Sequence, residues 1–162
     1  MASIDFQDGM VPSLLDRLTD PESAGTAIMS GYSHDKMYRS VLRDLADLLN
    51  THRSVPRVGD EFPEVKTSIV CFGLPDIASF ELTSTATRQA VGDAIFEVIT
   101  VYEPRLRDVL VHVLNPGEDL TTQSLRFRVE ARLSVDPSPE YAFDTILEIA
   151  SGQYVVSPTS NE

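Results

Sequence analysis

Pro104 constrains this fold more than any other residue. It stands in Tyr102-Glu103-Pro104-Arg105-Leu106, between apolar residues at helical spacing and a nearly continuous apolar run. A proline has no backbone donor and clashes with the preceding helical turn, so a helix arriving here must stop. The residue before it is pushed toward extended geometry. Glu103 is therefore predicted at a helix C-terminus, where the helix dipole favours a cation and disfavours a carboxylate. In an extended segment Glu103, Arg105 and Arg107 share one face. Two readings follow: a local ion pair closing the helix, or a charged contact point for a partner.

The pattern on either side is regular. Val41, Leu42, Leu45, Leu48 and Leu49 follow the spacing of one helical face and predict a helix over 35–51. Val91, Ile95, Val98, Ile99 and Tyr102 predict a second helix over 85–102, and Gly92 inside it marks close packing, since it costs about 1 kcal/mol relative to alanine. A short helix is predicted over 11–18, started by Pro12 or Ser13. Downstream the period changes to two. Leu125, Phe127, Val129, Ala131, Leu133 and Val135 form one face of a strand, and Arg126, Arg128, Glu130, Arg132 and Ser134 form the other. The run 109–114 is apolar on nearly every residue, as in a strand covered on both faces, with His112 a core histidine. Strands are also predicted over 141–149 and 154–156.

Between these elements, residues 20–33 read as a loop, 51–66 as a long connector, and 67–72 as a short strand or buried apolar run holding Cys71. Turn signals fall at 115–118, and Pro137 and Pro139 end the alternating strand. Helices first and short-linked strands afterwards predict an α+β domain. We expect two long helices and a short N-terminal helix packed on a small mixed or antiparallel sheet of about four to five strands. The expected organisation is an N-terminal helix and loop over 1–33, one α+β domain over 34–157, and a tail over 158–162.

Composition narrows the function classes. Thirteen basic and 25 acidic residues give a net charge of −12, which disfavours nucleic acid and anionic lipid unless a basic patch is segregated. A single cysteine excludes an internal disulfide, and neither a membrane-spanning stretch nor an N-terminal secretion signal is visible, which points to the cytoplasm. His34, His52 and His112 lack metal-ligand spacing, the glycines form no phosphate-cradling loop, and no nucleophile motif is present. We therefore expect no enzyme activity, no cofactor and no metal. Glu103 is the one acid worth nominating for catalysis, and a general acid must hold a proton, which an adjacent arginine opposes. Arg126, Arg128 and Arg132 form either a contact for an acidic partner or a solvated face with cross-strand pairs.

Three ordered stretches resemble the TssE baseplate subunit family of bacterial type VI secretion systems. The first is Ser40-Val41-Leu42-Arg43-Asp44-Leu45-Ala46-Asp47-Leu48-Leu49-Asn50-Thr51. The second is Thr67-Ser68-Ile69-Val70-Cys71-Phe72-Gly73-Leu74-Pro75-Asp76, and the third is Glu103-Pro104-Arg105-Leu106. The opening Ser13-Leu14-Leu15-Asp16-Arg17-Leu18 is similar to the family's start. His52 stands where the family often has arginine, and Phe72 where tyrosine is common. The resemblance implies a structural component that links the baseplate wedge to the contractile sheath and nucleates sheath assembly. Its implied partners are the wedge subunits TssF, TssG and TssK, the sheath proteins TssB and TssC, and the spike protein VgrG. Implied contact residues are Glu103, Pro104, Arg105, Arg43 and Asp44. The family is related to phage tail proteins once called lysozymes, so a peptidoglycan-degrading enzyme is one alternative. A regulatory anti-adaptor-type binding module is another. Sheath docking would proceed by strand addition to a free sheet edge, with 154–156 and 141–149 as candidate edges.

Overall fold

A computed structural model describes residues 13–19, 34–54, 58–75, 84–114, 124–134, 140–148 and 152–159. Among the described residues, four helices precede four strands: α1 (Leu14–Thr19), α2 (His34–Asn50), α3 (Pro63–Lys66), α4 (Thr85–Tyr102), β1 (Leu106–Leu114), β2 (Ser124–Leu133), β3 (Glu140–Glu148) and β4 (Gln153–Pro158). The strands form one antiparallel sheet in the order β1-β2-β3-β4. The expected loop over 20–33, the turn at 115–118 and Pro137 and Pro139 lie outside the described residues.

The two long helices lie on one face of the sheet, α4 over β1 and α2 over β4. Their apolar stripes supply Met37, Val41, Leu45, Leu48 and Leu49 from α2 and Val91, Ile95, Val98 and Ile99 from α4. The inward residues of β2, Leu125, Phe127, Val129, Ala131 and Leu133, meet them from below. Phe127 and Phe143 are fully buried, each contributing roughly 1.5–3 kcal/mol of apolar burial. Tyr38 of α2 stacks on Phe143 of β3 with ring centroids 6.0 Å apart. Gly92 is a point of close approach: a Cβ there would lie 3.2 Å from Cγ2 of Val113, so the missing side chain lets α4 settle onto β1.

Three expectations need correction. The run in β1 is not covered on both faces. Asp108 adopts φ +53 at an irregularity where the pairing slips between Arg107↔Arg132 and Leu110↔Glu130. One extra residue in β1 keeps Leu106 and Val109 inward while turning Leu110 and His112 outward, the effect of a β-bulge. His112 is therefore an exposed residue 3.8 Å from Glu130, not a core histidine. Second, the segment after Thr67 forms no strand: Ile69–Cys71 is a single 3₁₀ turn, capped by the hydroxyl of Ser68. It buries Cys71 but leaves Ile69 86% exposed. Third, β3 is interior, paired on both sides, so it is not an edge; the edges are β1 and β4.

Candidate functional site

The proline junction folds as its chemistry requires. α4 ends at Tyr102, and the N–H of Glu103 makes the last helical bond, to the carbonyl of Ile99 at 2.9 Å. Pro104 and Arg105 turn the chain, and the N–H of Leu106 returns to the Glu103 carbonyl at 3.1 Å as β1 begins. This turn carries the Glu103 side chain inward, to 4% exposure, and leaves Pro104 on the surface.

Arg105 resolves the awkward carboxylate. Its backbone N–H donates to Oε1 of Glu103 at 3.2 Å, its Nε donates to the same oxygen at 2.6 Å, and its Nη2 donates to Oε2. The guanidinium also reaches α2, donating through Nη2 to Oδ2 of Asp44 at 2.7 Å and through Nη1 to Oγ of Ser40 at 3.1 Å. Burial works against the Arg105 charge, but the Glu103 and Asp44 carboxylates outweigh it and hold the guanidinium more firmly protonated than usual. Arg107, expected on the same face, is exposed in β1 and stands apart from this cluster.

Arg43 extends the network outward. Its Nε and Nη2 donate to Oδ1 of Asp44 at 3.0 and 2.8 Å, a forked pair, while Nη1 donates to Oδ1 of Asp16 in α1 at 2.7 Å. The other Asp16 oxygen accepts from the hydroxyl of Ser40 at 2.7 Å. Burial opposes the Asp16 charge, but hydrogen bonds from Ser40, Arg43 and Ser13 prevail and bring its pKa down to about 2. Ser13 also caps α1 by accepting the N–H of Asp16 at 3.1 Å, so the short helix is both started and anchored here.

The nominated residues thus converge. Arg43, Asp44, Glu103 and Arg105 form one cluster with Pro104 beside it. Asp16 and Ser40 complete it, and neither was singled out for this role by its pattern. The available signal was Ser40, a hydroxyl on the buried face of an apolar helical stripe. A cleft of about 430 Å³ opens at this point, bounded by Ser13, Leu15 of α1, Asp44 and Leu48 of α2, Phe72, and the Glu103-Pro104-Arg105 turn. Phe72 lies edge-on to Tyr102 with centroids 5.3 Å apart, which ties the second motif to the end of α4, next to the third.

The first and second motifs also meet directly. The N–H of Leu74 donates to the carbonyl of Thr51 at 2.9 Å, and the N–H of Arg53 donates to the carbonyl of Leu74 at 2.8 Å. Gly73 makes this approach possible. Its φ is +97, and a Cβ would fall 2.2 Å from the Thr51 carbonyl oxygen. All four sequence stretches therefore line or support one cleft.

The family model described as baseplate wedge protein gp25 matches residues 35–138. The chain belongs to the baseplate wedge protein gp25 family. The matched span includes Arg43, Asp44 and the Glu103-Pro104-Arg105 turn; Asp16 lies outside it. Among solved structures, the chain is similar to a candidate tail lysozyme from Geobacter sulfurreducens, at 15% identity and a TM-score of 0.49, over 83% of this chain and 100% of that one. No curated protein matches the chain.

The chemistry of the cluster is that of a charge network with hydrogen bonds between opposite charges. Both carboxylate oxygens of Glu103 accept hydrogen bonds from Arg105. Among the described residues, no group of three or more His, Cys, Asp or Glu is placed to hold a metal ion. No described helix is long and apolar enough to cross a membrane. The arginine strand also settles in part: Arg128 pairs with Asp144 directly opposite it on β3, Nε to Oδ1 at 2.9 Å, a cross-strand ion pair.

Proposed function

We propose that this protein is a structural baseplate subunit of a type VI secretion system that links the wedge to the contractile sheath and nucleates sheath assembly. The convergence of the four sequence stretches on one cleft carries this reading. A fold alone would need the helical stripes and the alternating strand. It would not need an exposed Pro104 beside a five-member charge network, with Arg43 40% exposed at its rim. In this reading the buried Glu103–Arg105 pair holds the turn in shape. The accessible members, Arg43, Asp44 and Pro104, meet the wedge subunits TssF and TssG, with TssK and VgrG further into the assembly. The sheath proteins TssB and TssC dock at the sheet.

Pull-down of the purified chain with TssF, TssG and the TssB–TssC pair tests the assignment. Binding to both sets is expected, and failure to bind either set would sink it. Arg43→Gln removes an accessible charge without adding a third carboxylate beside Asp16 and Asp44, and is expected to weaken wedge binding while the circular dichroism signal of the two long helices is retained. Unimpaired wedge binding by that variant would remove the cleft from the interface.

A further inference from the structure

Tyr102 lines a second hollow as well as the cleft. This groove has a volume of about 620 Å³. One wall is the C-terminal end of α4, through Val98, Val101 and Tyr102, and the other comes from Arg53 and residues of 58–75. The Tyr102 hydroxyl lies 3.1 Å from the Lys66 carbonyl and 2.8 Å from that of Ser68, so the second wall is pinned to the helix end. The groove is therefore built before any partner arrives, which lowers the ordering cost of binding.

Its charges do not cancel in place. Lys66 pairs with Asp60, which leaves Arg53 and Glu97. The backbone of Arg53 is fixed by its bond to Leu74, yet its side chain makes no hydrogen bond or ion pair among the described residues. Its Nε is shut off from solvent and meets no acceptor. Enclosed donors normally have partners, and one without a partner calls for an explanation. Glu97 stands on the exposed side of α4 and does not reach it.

The rim is apolar. Val101 is 39% exposed on the α4 wall, and Val70, directly before Cys71 on the other wall, is 48% exposed. α4 thus carries apolar residues on its outer side as well as on its sheet side, whereas a helix with one covered face keeps its outer side polar.

We infer that this groove is a second docking site for the wedge, continuous with the cleft across Tyr102, and that it takes a wedge-subunit segment with one carboxylate flanked by apolar residues. The carboxylate meets the outer nitrogens of Arg53, and the apolar neighbours cover Val101 and Val70. Glu97 at the rim disfavours a run of acids. A second copy of this chain would bring another −12 of net charge to the same place, which makes it the poorer occupant. The inference rests on the wedge-docking reading above.

Titration calorimetry of the full chain with the purified TssF–TssG pair tests it. Arg53→Gln is expected to weaken binding at least about tenfold, as loss of a charge-assisted hydrogen bond does. Its urea midpoint should stay that of the parent, because the side chain has no bond to lose within the described residues. Arg53→Lys keeps the charge without the fork and should recover part of the affinity. Val101→Asp, on the exposed rim, is expected to weaken binding to a similar degree. Should Arg53→Gln lower the midpoint as well, Val101→Asp decides. Parent-like binding by Val101→Asp, or by a stably folded Arg53→Gln, overturns the inference and leaves the cleft reading intact. Weakened TssB–TssC binding by Arg53→Gln with TssF–TssG binding unchanged also overturns it. Failure of the parent to bind TssF–TssG overturns both the inference and the reading on which it rests.

Discussion

Arg105 folds back over Glu103, two residues before it, with Nε 2.6 Å from the buried carboxylate and Nη2 reaching across to Asp44 at 2.7 Å. Removing the arginine strands a carboxylate that is only 4% exposed. Arg105→Ala is expected to destabilise the domain by about 3 kcal/mol, the range for breaking a buried pair from one side. Arg105→Lys keeps the charge but loses the fork, and should cost about half as much. Urea denaturation of the two variants checks both the loss and its order.

Asp16 gives a pH signature. Its folded-state pKa of about 2 lies below the ordinary 3.8. A depressed carboxylate contributes stability that is complete above the ordinary value and is lost as pH falls through the folded value. The anchoring of α1 should therefore hold at pH 5 and weaken between about pH 4 and pH 2. Carboxyl-carbon NMR titration is expected to place the Asp16 midpoint near 2. In Arg43→Ala, which removes the 2.7 Å contact, the midpoint should rise toward the ordinary value.

Gly73 is the tightest backbone contact between the motifs. Alanine there combines a positive φ with a Cβ 2.2 Å from the Thr51 carbonyl oxygen. Gly73→Ala is expected to cost at least about 2 kcal/mol, and to unseat the bonds between Thr51, Arg53 and Leu74. A lowered denaturation midpoint, together with faster exchange at the Leu74 amide, would show that the loss arises at this contact.

Asn50→Ala leaves the N–H and carbonyl of Tyr154, which its side-chain amide brackets, without a partner. The stability loss is expected to be about 1–2 kcal/mol for two hydrogen bonds. The larger consequence is a reopened edge, so the variant should self-associate as concentration rises, measured by sedimentation velocity, while the parent stays unchanged over the same range. Equal sedimentation of the two proteins would show that Asn50 does not guard β4.

Much of the fold was legible from pattern. α2 begins one residue before its predicted start and ends one before its predicted end, and α4 matches its prediction at both ends, because long amphipathic stripes are set by local spacing. The inward face of β2 was readable for the same reason. The site was legible in its members and not in its wiring. Arg43, Asp44, Glu103 and Arg105 carry charge at marked positions, but their pairing joins residues 61 apart. Asp16 stands 27 residues from Arg43, across a segment without helical pattern.

The errors share a cause. The apolar run of β1 read as doubly buried because sequence period cannot show one inserted residue; Asp108 supplies it, and Leu110 turns to solvent. Ile69 and Val70 read as core because apolar composition does not specify a side of the chain, and the turn that buries Cys71 exposes them.

The sequence by itself determined the α+β order, the two long helices, the strand faces and the forced break at Pro104, since each follows from local spacing or from the covalent limits of one residue. Only the tertiary structure decided that Glu103 faces Arg105, that Asp16 joins them, and that Asn50 brackets Tyr154 on β4. Those depend on hydrogen-bond direction between segments up to 104 residues apart, which local spacing does not encode.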